Sequence, residues 1–214
     1  MDLQALYTPE FESYLFNGSL LNFNRTKRSC IIDYEKNLIN DLVTSGQMEY
    51  WSYEDAIIFY RLLDWDSDYF GRKTYKLEHV YSRSECRRNS VKVIEKLLSQ
   101  LEQPAHLLTE VSSKDLVGLY SLTNMGFSLV ESRINYFIDA SKVSFKRNLV
   151  REARVEDIGK IRCVASKMIN PYDRFHADPA YSKSLACRFL GTYAEEMVKG
   201  IADVVLVPAE GKAD

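Results

Sequence analysis

The sequence predicts a mixed α/β protein of the α+β kind, with a mixed sheet flanked by helices. Three observations point there. Stretches with apolar residues at helical spacing alternate with short apolar strands from about residue 64 onward. Glycine, proline, serine and aspartate punctuate those stretches where helix caps and turns need them. The 214 residues are 46% hydrophobic and 27% charged, as suits a globular chain able to bury a core.

The first sixty residues are rich in aromatics. Tyr7, Phe11, Tyr14, Phe16 and Phe23 follow no sustained period. Leu38, Ile39, Leu42 and Val43 recur at helical spacing and predict a helix over 34–45. Residues 51–63 fit either a helix or a strand. Tyr75 to Val80 reads as a strand, and Ser82 with Glu85 has the spacing of a capping box. The helix that follows carries Val91, Ile94, Leu97, Leu98 and Leu101 on one face and closes before Pro104. Ala105 to Val111 reads as a short strand. Ser112 and Ser113 are candidate caps for a second helix, and Gly126 suits its left-handed C-terminus. Residues 128–138 alternate in polarity, the pattern of a strand with one wet face.

After a polar connector at 141–148 the pattern restarts. Leu149 to Ala153 is an expected strand. Ile158, Ile161, Val164, Ala165 and Met168 form a helical stripe that stops at Asn170-Pro171. Asp178-Pro179 has the form of an N-cap followed by proline at the first helical position, and Leu185, Phe189, Tyr193 and Met197 continue that helix to Gly200. The run Val204 to Val207 is continuously apolar, the mark of a strand covered on both faces. Such a strand should either be flanked or self-associate through an open edge. Residues 210–212 look like the start of a hairpin turn.

The formal net charge of -2 gives no basic excess of the kind nucleic-acid or membrane-surface binding requires. The short basic clusters at Arg25, Lys27 and Arg28, at Arg87 and Arg88, and at Lys146 and Arg147 read as solvated surface. No apolar run approaches a membrane span, and no signal peptide is expected, so the expected location is the cytoplasm. The four cysteines form no C-x-x-C pair and have no zinc spacing with His79, His106 and His176. Cys163 and Cys187 fall on apolar positions and read as core residues. Asp64, Asp66 and Asp68 resemble the opening of a calcium loop, but Tyr69 and Tyr75 stand where that loop needs glycine and glutamate, so no metal site is expected. The nine glycines form no phosphate-cradling motif, and no G-x-S-x-G or Cys–His nucleophile pattern is evident.

The densest set of functional side chains is Tyr172-Asp173-Arg174-Phe175-His176-Ala177-Asp178, in a loop between two helices. A guanidinium, an imidazole and a phenol there suit recognition of phosphate or carboxylate. Capping by Asp178 and ion pairing by Arg174 would explain the same residues structurally.

The run Leu119-Tyr120-Ser121-Leu122-Thr123-Asn124-Met125-Gly126-Phe127, followed by Ser128-Leu129-Val130-Glu131, resembles the closing half of a GNAT-superfamily N-acetyltransferase. Val150-Arg151-Glu152-Ala153 with Asp157-Ile158 resembles the opening of the same fold. A closing half before an opening half is similar to the two-domain dTDP-fucosamine (dTDP-4-amino-4,6-dideoxygalactose) N-acetyltransferases, as are Trp65 to Gly71 and Arg174 to Pro179. The resemblance covers about residues 60–214. It implies an aromatic-rich extension at 1–63, a degenerate GNAT-like half at 64–140, and the opening part of an incomplete second GNAT unit at 149–214. It further implies acetyl-CoA as co-substrate, a nucleotide-linked amino sugar as acceptor, and Tyr172, Arg174 and His176 as substrate contacts. In that family a later strand and a glycine-rich turn hold acetyl-CoA, followed by the general acid. The resemblance therefore assigns neither role to a residue here, and the chain alone is expected to be inactive or to await a complementary C-terminal segment. A non-catalytic module that binds a nucleotide-sugar or a protein on a remnant GNAT fold is the alternative.

Overall fold

The computed structural model describes residues 6–84, 86–142, 144 and 149–209. The chain divides into two compact units, Met1–Ser128 and Leu129–Asp214.

The first unit is a four-stranded mixed sheet with helices on both faces. It opens with α1 (Pro9–Gly18) and α2 (Arg28–Thr44). A hairpin follows, β1 (Glu49–Tyr53) and β2 (Ala56–Leu62), which settles residues 51–63 as strand. Short α3 (Asp64–Phe70) ends at Gly71, whose φ of 64° is the left-handed cap a side chain would strain. The acidic triplet thus opens a helix, and no group of side chains suited to a metal ion is found among the described residues. Then come β3 (Lys73–Ser82), α4 (Arg87–Leu98), β4 (Ala105–Thr109) and α5 (Leu116–Asn124). The strand order is β1-β2-β3-β4, with the first three antiparallel and β4 parallel to β3 across the α4 crossover.

Strand β2 explains why this unit holds together. Its run Ala56-Ile57-Ile58-Phe59-Tyr60 is buried throughout. Ile58 and Tyr60 meet Leu77, Val93, Ile94, Leu97 and Leu122 on the α4/α5 side. Ile57 and Phe59 meet Phe11, Leu15, Ile39 and Met48 on the α1/α2 side. Residues 6–63 supply two strands of the sheet and most of one face of its core.

Local details correct several sequence expectations. The buried stripe of α4 runs through Val93, not Val91. Asp115 caps α5 by accepting the Gly118 amide at 2.8 Å, in place of Ser112 or Ser113. Ser82 accepts the Cys86 amide at 3.1 Å, while Glu85 lies outside the described residues. Gly126 has the expected positive φ, 88°.

The second unit contains β5 (Val150–Glu152), α6 (Ile158–Lys167), α7 (Arg174–Ala177), α8 (Lys183–Glu196) and β6 (Leu206–Pro208). Strands β5 and β6 form an antiparallel pair. Helices α6 and α8 pack closely at Gly191, where a Cβ would lie 3.2 Å from the Arg162 carbonyl and 3.2 Å from Ser166 Cβ. Its fully buried side chains are few, with Tyr181, Ala186 and Phe189 foremost.

Here the sequence patterns mislead more often. Residues 128–138 form no strand and, apart from half-buried Val130 and Glu131, lie exposed, with Tyr136 at 87%. The alternation is real, but no neighbouring strand takes up its hydrogen bonds. Asp178 does not cap α8. It accepts the Ala180 amide in a turn, and Ser182 caps the helix by accepting from Leu185 at 3.3 Å. Cys163 is exposed, because α6 turns Ile158, Ile161 and Ala165 inward and leaves Val164 and Met168 outside. The apolar run at the end is not central: Val204 and Leu206 are 51% and 59% exposed, and β5 is the strand's sole partner among the described residues. The turn expected at 210–212 lies outside the described residues.

Candidate functional site

The first unit carries a cleft where its parallel strands part. Strands β3 and β4 pair from Lys73 with Ala105 to Leu77 with Thr109. Beyond that point β4 ends, while β3 continues to Ser82 against β2 alone. A cleft of about 870 Å³ opens there, lined by Tyr14, His79, Val80, Glu110, Lys114 and Asp115 among others. The open edge of β3 is not bare, because the Val80 amide donates to the Tyr14 hydroxyl at 3.2 Å. Burial pushes the Tyr14 phenol well above its ordinary pKa, so it remains a neutral hydroxyl. His79 stands between the Tyr14 and Phe59 rings, with centroids 5.9 and 6.1 Å away. Burial pushes its pKa down to about 4, so the ring is neutral near pH 7.

At the far end of β3, the turn into α4 is already occupied by a carboxylate of the protein. Asp55, in the β1–β2 hairpin turn, accepts the Ser84 amide at 2.7 Å and the Asn89 side-chain amide at 2.7 Å. Burial raises its pKa, but these hydrogen bonds from Ser84 and Asn89 outweigh that and hold it at about 2. The turn from 83 to 86 contains no glycine. A pyrophosphate approaching these amides would meet a fixed negative charge and a filled hydrogen-bond site. The residues present at this turn do not fit the pyrophosphate of acetyl-CoA.

In the second unit, the candidate loop residues point to different ends. Tyr172 is 80% exposed. Arg174 begins α7, its guanidinium 4.4 Å from the Phe175 ring centroid and its amide donating to Glu131 at 3.0 Å. His176 is turned inward, with its side chain 3% exposed. Its Nδ1 lies 2.8 Å from Asp173 Oδ2, and its Nε2 lies 3.6 Å from Cys187 Sγ. Tyr172 is thus open to solvent and Arg174 is half-buried against Phe175, whereas both nitrogens of His176 face partners inside the unit. Elsewhere in this unit, Arg151 grips Asp157 through two bonds of 2.6 and 2.9 Å, which hold that carboxyl far below its ordinary pKa. Asp157 serves β5 and α6 as a joint.

The sequence reading gave no site role to Asp55, Tyr14, His79 or Cys187, and it named Asp173 only as one of the functional groups of the loop. The one available signal was local: Asp173 precedes His176 by three residues, the spacing that lets an N-cap carboxylate reach a ring one turn on.

No family profile matches the chain, and no curated protein is similar to it. Among solved structures, one described as a probable acetyltransferase is similar at 8% identity and a TM-score of 0.35. That likeness covers 54% of this chain and 80% of the other, and is too slight to carry an argument. No helix among the described residues is long and apolar enough to cross a membrane.

Proposed function

We propose that this chain provides the acceptor-binding part of a GNAT-type N-acetyltransferase that transfers acetyl from acetyl-CoA to the amine of a nucleotide-linked amino sugar. The order of elements supports this reading. A β3-α4-β4-α5 unit, whose parallel strands part at a cleft, precedes a β5-α6-α7-α8-β6 unit. That is the closing-then-opening sequence the family resemblance implies. Tyr172 and Arg174 are the acceptor contacts in this reading, Arg174 by forked hydrogen bonds to phosphate. A reducing cytoplasm belongs to the same reading, supported by four free cysteines.

Calorimetry with a panel of nucleotide-linked amino sugars tests it. Binding is expected, and Arg174→Ala should weaken it by about 1.5–3 kcal/mol, the range for hydrogen bonds to charged groups. Unchanged affinity in Arg174→Ala with a lowered melting temperature would give the residue a structural role only.

A second reading, a non-catalytic nucleotide-sugar or protein-binding module on a remnant fold, is favoured by the Asp55 carboxylate at the β3–α4 turn. Acetyl transfer separates the two. The enzyme reading expects acetyl to reach a sugar of the panel once the chain is combined with a partner that supplies an acetyl-CoA site, whereas the module reading expects none even then.

A further inference from the structure

Helices α7 and α8 assemble a three-member relay from residues with no common motif. Asp173 caps α7 through one oxygen, its Oδ1 accepting the amides of Phe175 at 2.9 Å and His176 at 3.0 Å. The second oxygen is left for the imidazole, 2.8 Å from Nδ1. In the tautomer whose Nδ1–H donates to the carboxylate, Nε2 is left as the acceptor. It faces Cys187 Sγ at 3.6 Å, within reach of a sulfur hydrogen bond. Phe175 packs on Phe189 with centroids 4.3 Å apart, which fixes α7 against the helix that carries the thiol. The imidazole is 3% exposed and Cys187 is half-buried, so the thiol is the terminal member of the relay. Nucleophile, base and orienting carboxylate in hydrogen-bonded series are the arrangement that activates a thiol.

We propose that Cys187 is a nucleophile that takes an acyl group from a thioester, with His176 as its base and Asp173 as the positioning residue. His176 Nε2 removes the S–H proton. The Cys187 sulfur attacks the thioester carbonyl, a carbon–sulfur bond to Cys187 forms, and the bond to the donor sulfur breaks. The departing thiolate takes the proton back from Nε2. The products are S-acyl Cys187 and a free thiol, with no change in oxidation state. The choice of a thioester rests on the acyltransferase reading above, whereas the reactivity of the thiol does not.

The test uses the whole chain. Iodoacetamide is reacted at neutral pH, and labelling of each cysteine is followed by peptide mass mapping. Cys187 should label about tenfold faster than the more exposed Cys163, since the thiolate is the reactive form. His176→Gln should abolish that advantage. Asp173→Asn, which keeps a capping oxygen but loses the charge, should reduce it. Separately, acetyl-CoA and the smaller thioester S-acetyl-N-acetylcysteamine should leave a hydroxylamine-sensitive acetyl on Cys187, absent in Cys187→Ser. Circular dichroism of each variant checks that the helices are intact. If Cys187 labels no faster than Cys163 and ignores His176→Gln in a folded protein, the relay is packing alone and the proposal falls. Fast labelling with no acetyl adduct from either thioester also overturns it. Neither result bears on nucleotide-sugar binding by calorimetry, so the two readings fail separately.

Discussion

The two units differ in how they are held. The first encloses its sheet on both faces, with Phe11, Phe59, Leu77, Ile94 and Leu97 fully buried. The second has a two-stranded ribbon and a helical pair, and it relies on one aromatic knot of Phe175, Tyr181 and Phe189. Around that knot it uses polar fastenings: Arg151 on Asp157, Arg162 on Glu195 at 2.7 Å, and side-chain caps at Asp173 and Ser182. A sheet filled on both sides excludes water by apolar area, whereas a thin layer must place individual hydrogen bonds. The candidate chemistry follows the same division. The first unit offers a shaped cleft, and the second offers precisely spaced polar groups near its surface.

The largest expected effect probes the two-sided core. Phe59→Ala should cost the first unit about 3–5 kcal/mol in urea unfolding. Both tryptophans, Trp51 and Trp65, lie in this unit, so their fluorescence reports it selectively. A cost below about 1 kcal/mol would mean that the second face of β2 is not packed as described.

A smaller effect comes from acid. His79 has its pKa lowered from 6.5 to about 4 in the folded state. Between those values the unfolded chain binds a proton that the folded one refuses, so stability should fall as pH drops from about 6.5 to 4. Because the residue keeps part of its surface exposed, the loss should be about 1–3 kcal/mol. His79→Gln should flatten that part of the pH profile, measured by the same fluorescence. A profile unchanged by the substitution would assign the acid loss to other groups.

The smallest effect tests the fastenings of the second unit. Ser182→Ala should cost about 0.5–2 kcal/mol and speed amide exchange in the first turn of α8. Asp178→Ala should stay within about 0.5 kcal/mol, because that carboxylate closes a turn and not the helix. The reverse ranking would return the cap to Asp178.

One pattern occurs twice in this chain with opposite outcomes. Ala56 to Tyr60 and Val204 to Val207 are both continuous apolar runs, and only the first is a covered central strand. A run states that apolar side chains are present on both faces. It does not state whether helices are available to cover them, and that depends on distant residues such as Phe11 and Ile39. The same limit explains residues 128–138, whose alternation is legible although no partner strand is. Local signals fared better. The α4 and α8 helices, the turn at Gly126 and the mixed α/β class could be read from spacing, although the cap expected for α8 was misplaced at Asp178. The relay could not, because its cysteine arrives from another helix, and the Asp55 contact joins two turns 29 residues apart.

The Tyr14 hydroxyl on the Val80 amide has a consequence for solubility. Where β3 outlives its partner, its edge is left unpaired by β4, and an unpaired edge can template the addition of a strand from another molecule. A phenol fixed across the opening takes a donor that an incoming chain would need, and its ring stands in that chain's path. Tyr14 thus occupies one donor of the β3 edge, and Tyr14→Phe should raise any tendency of that edge to pair with another chain, as read by light scattering.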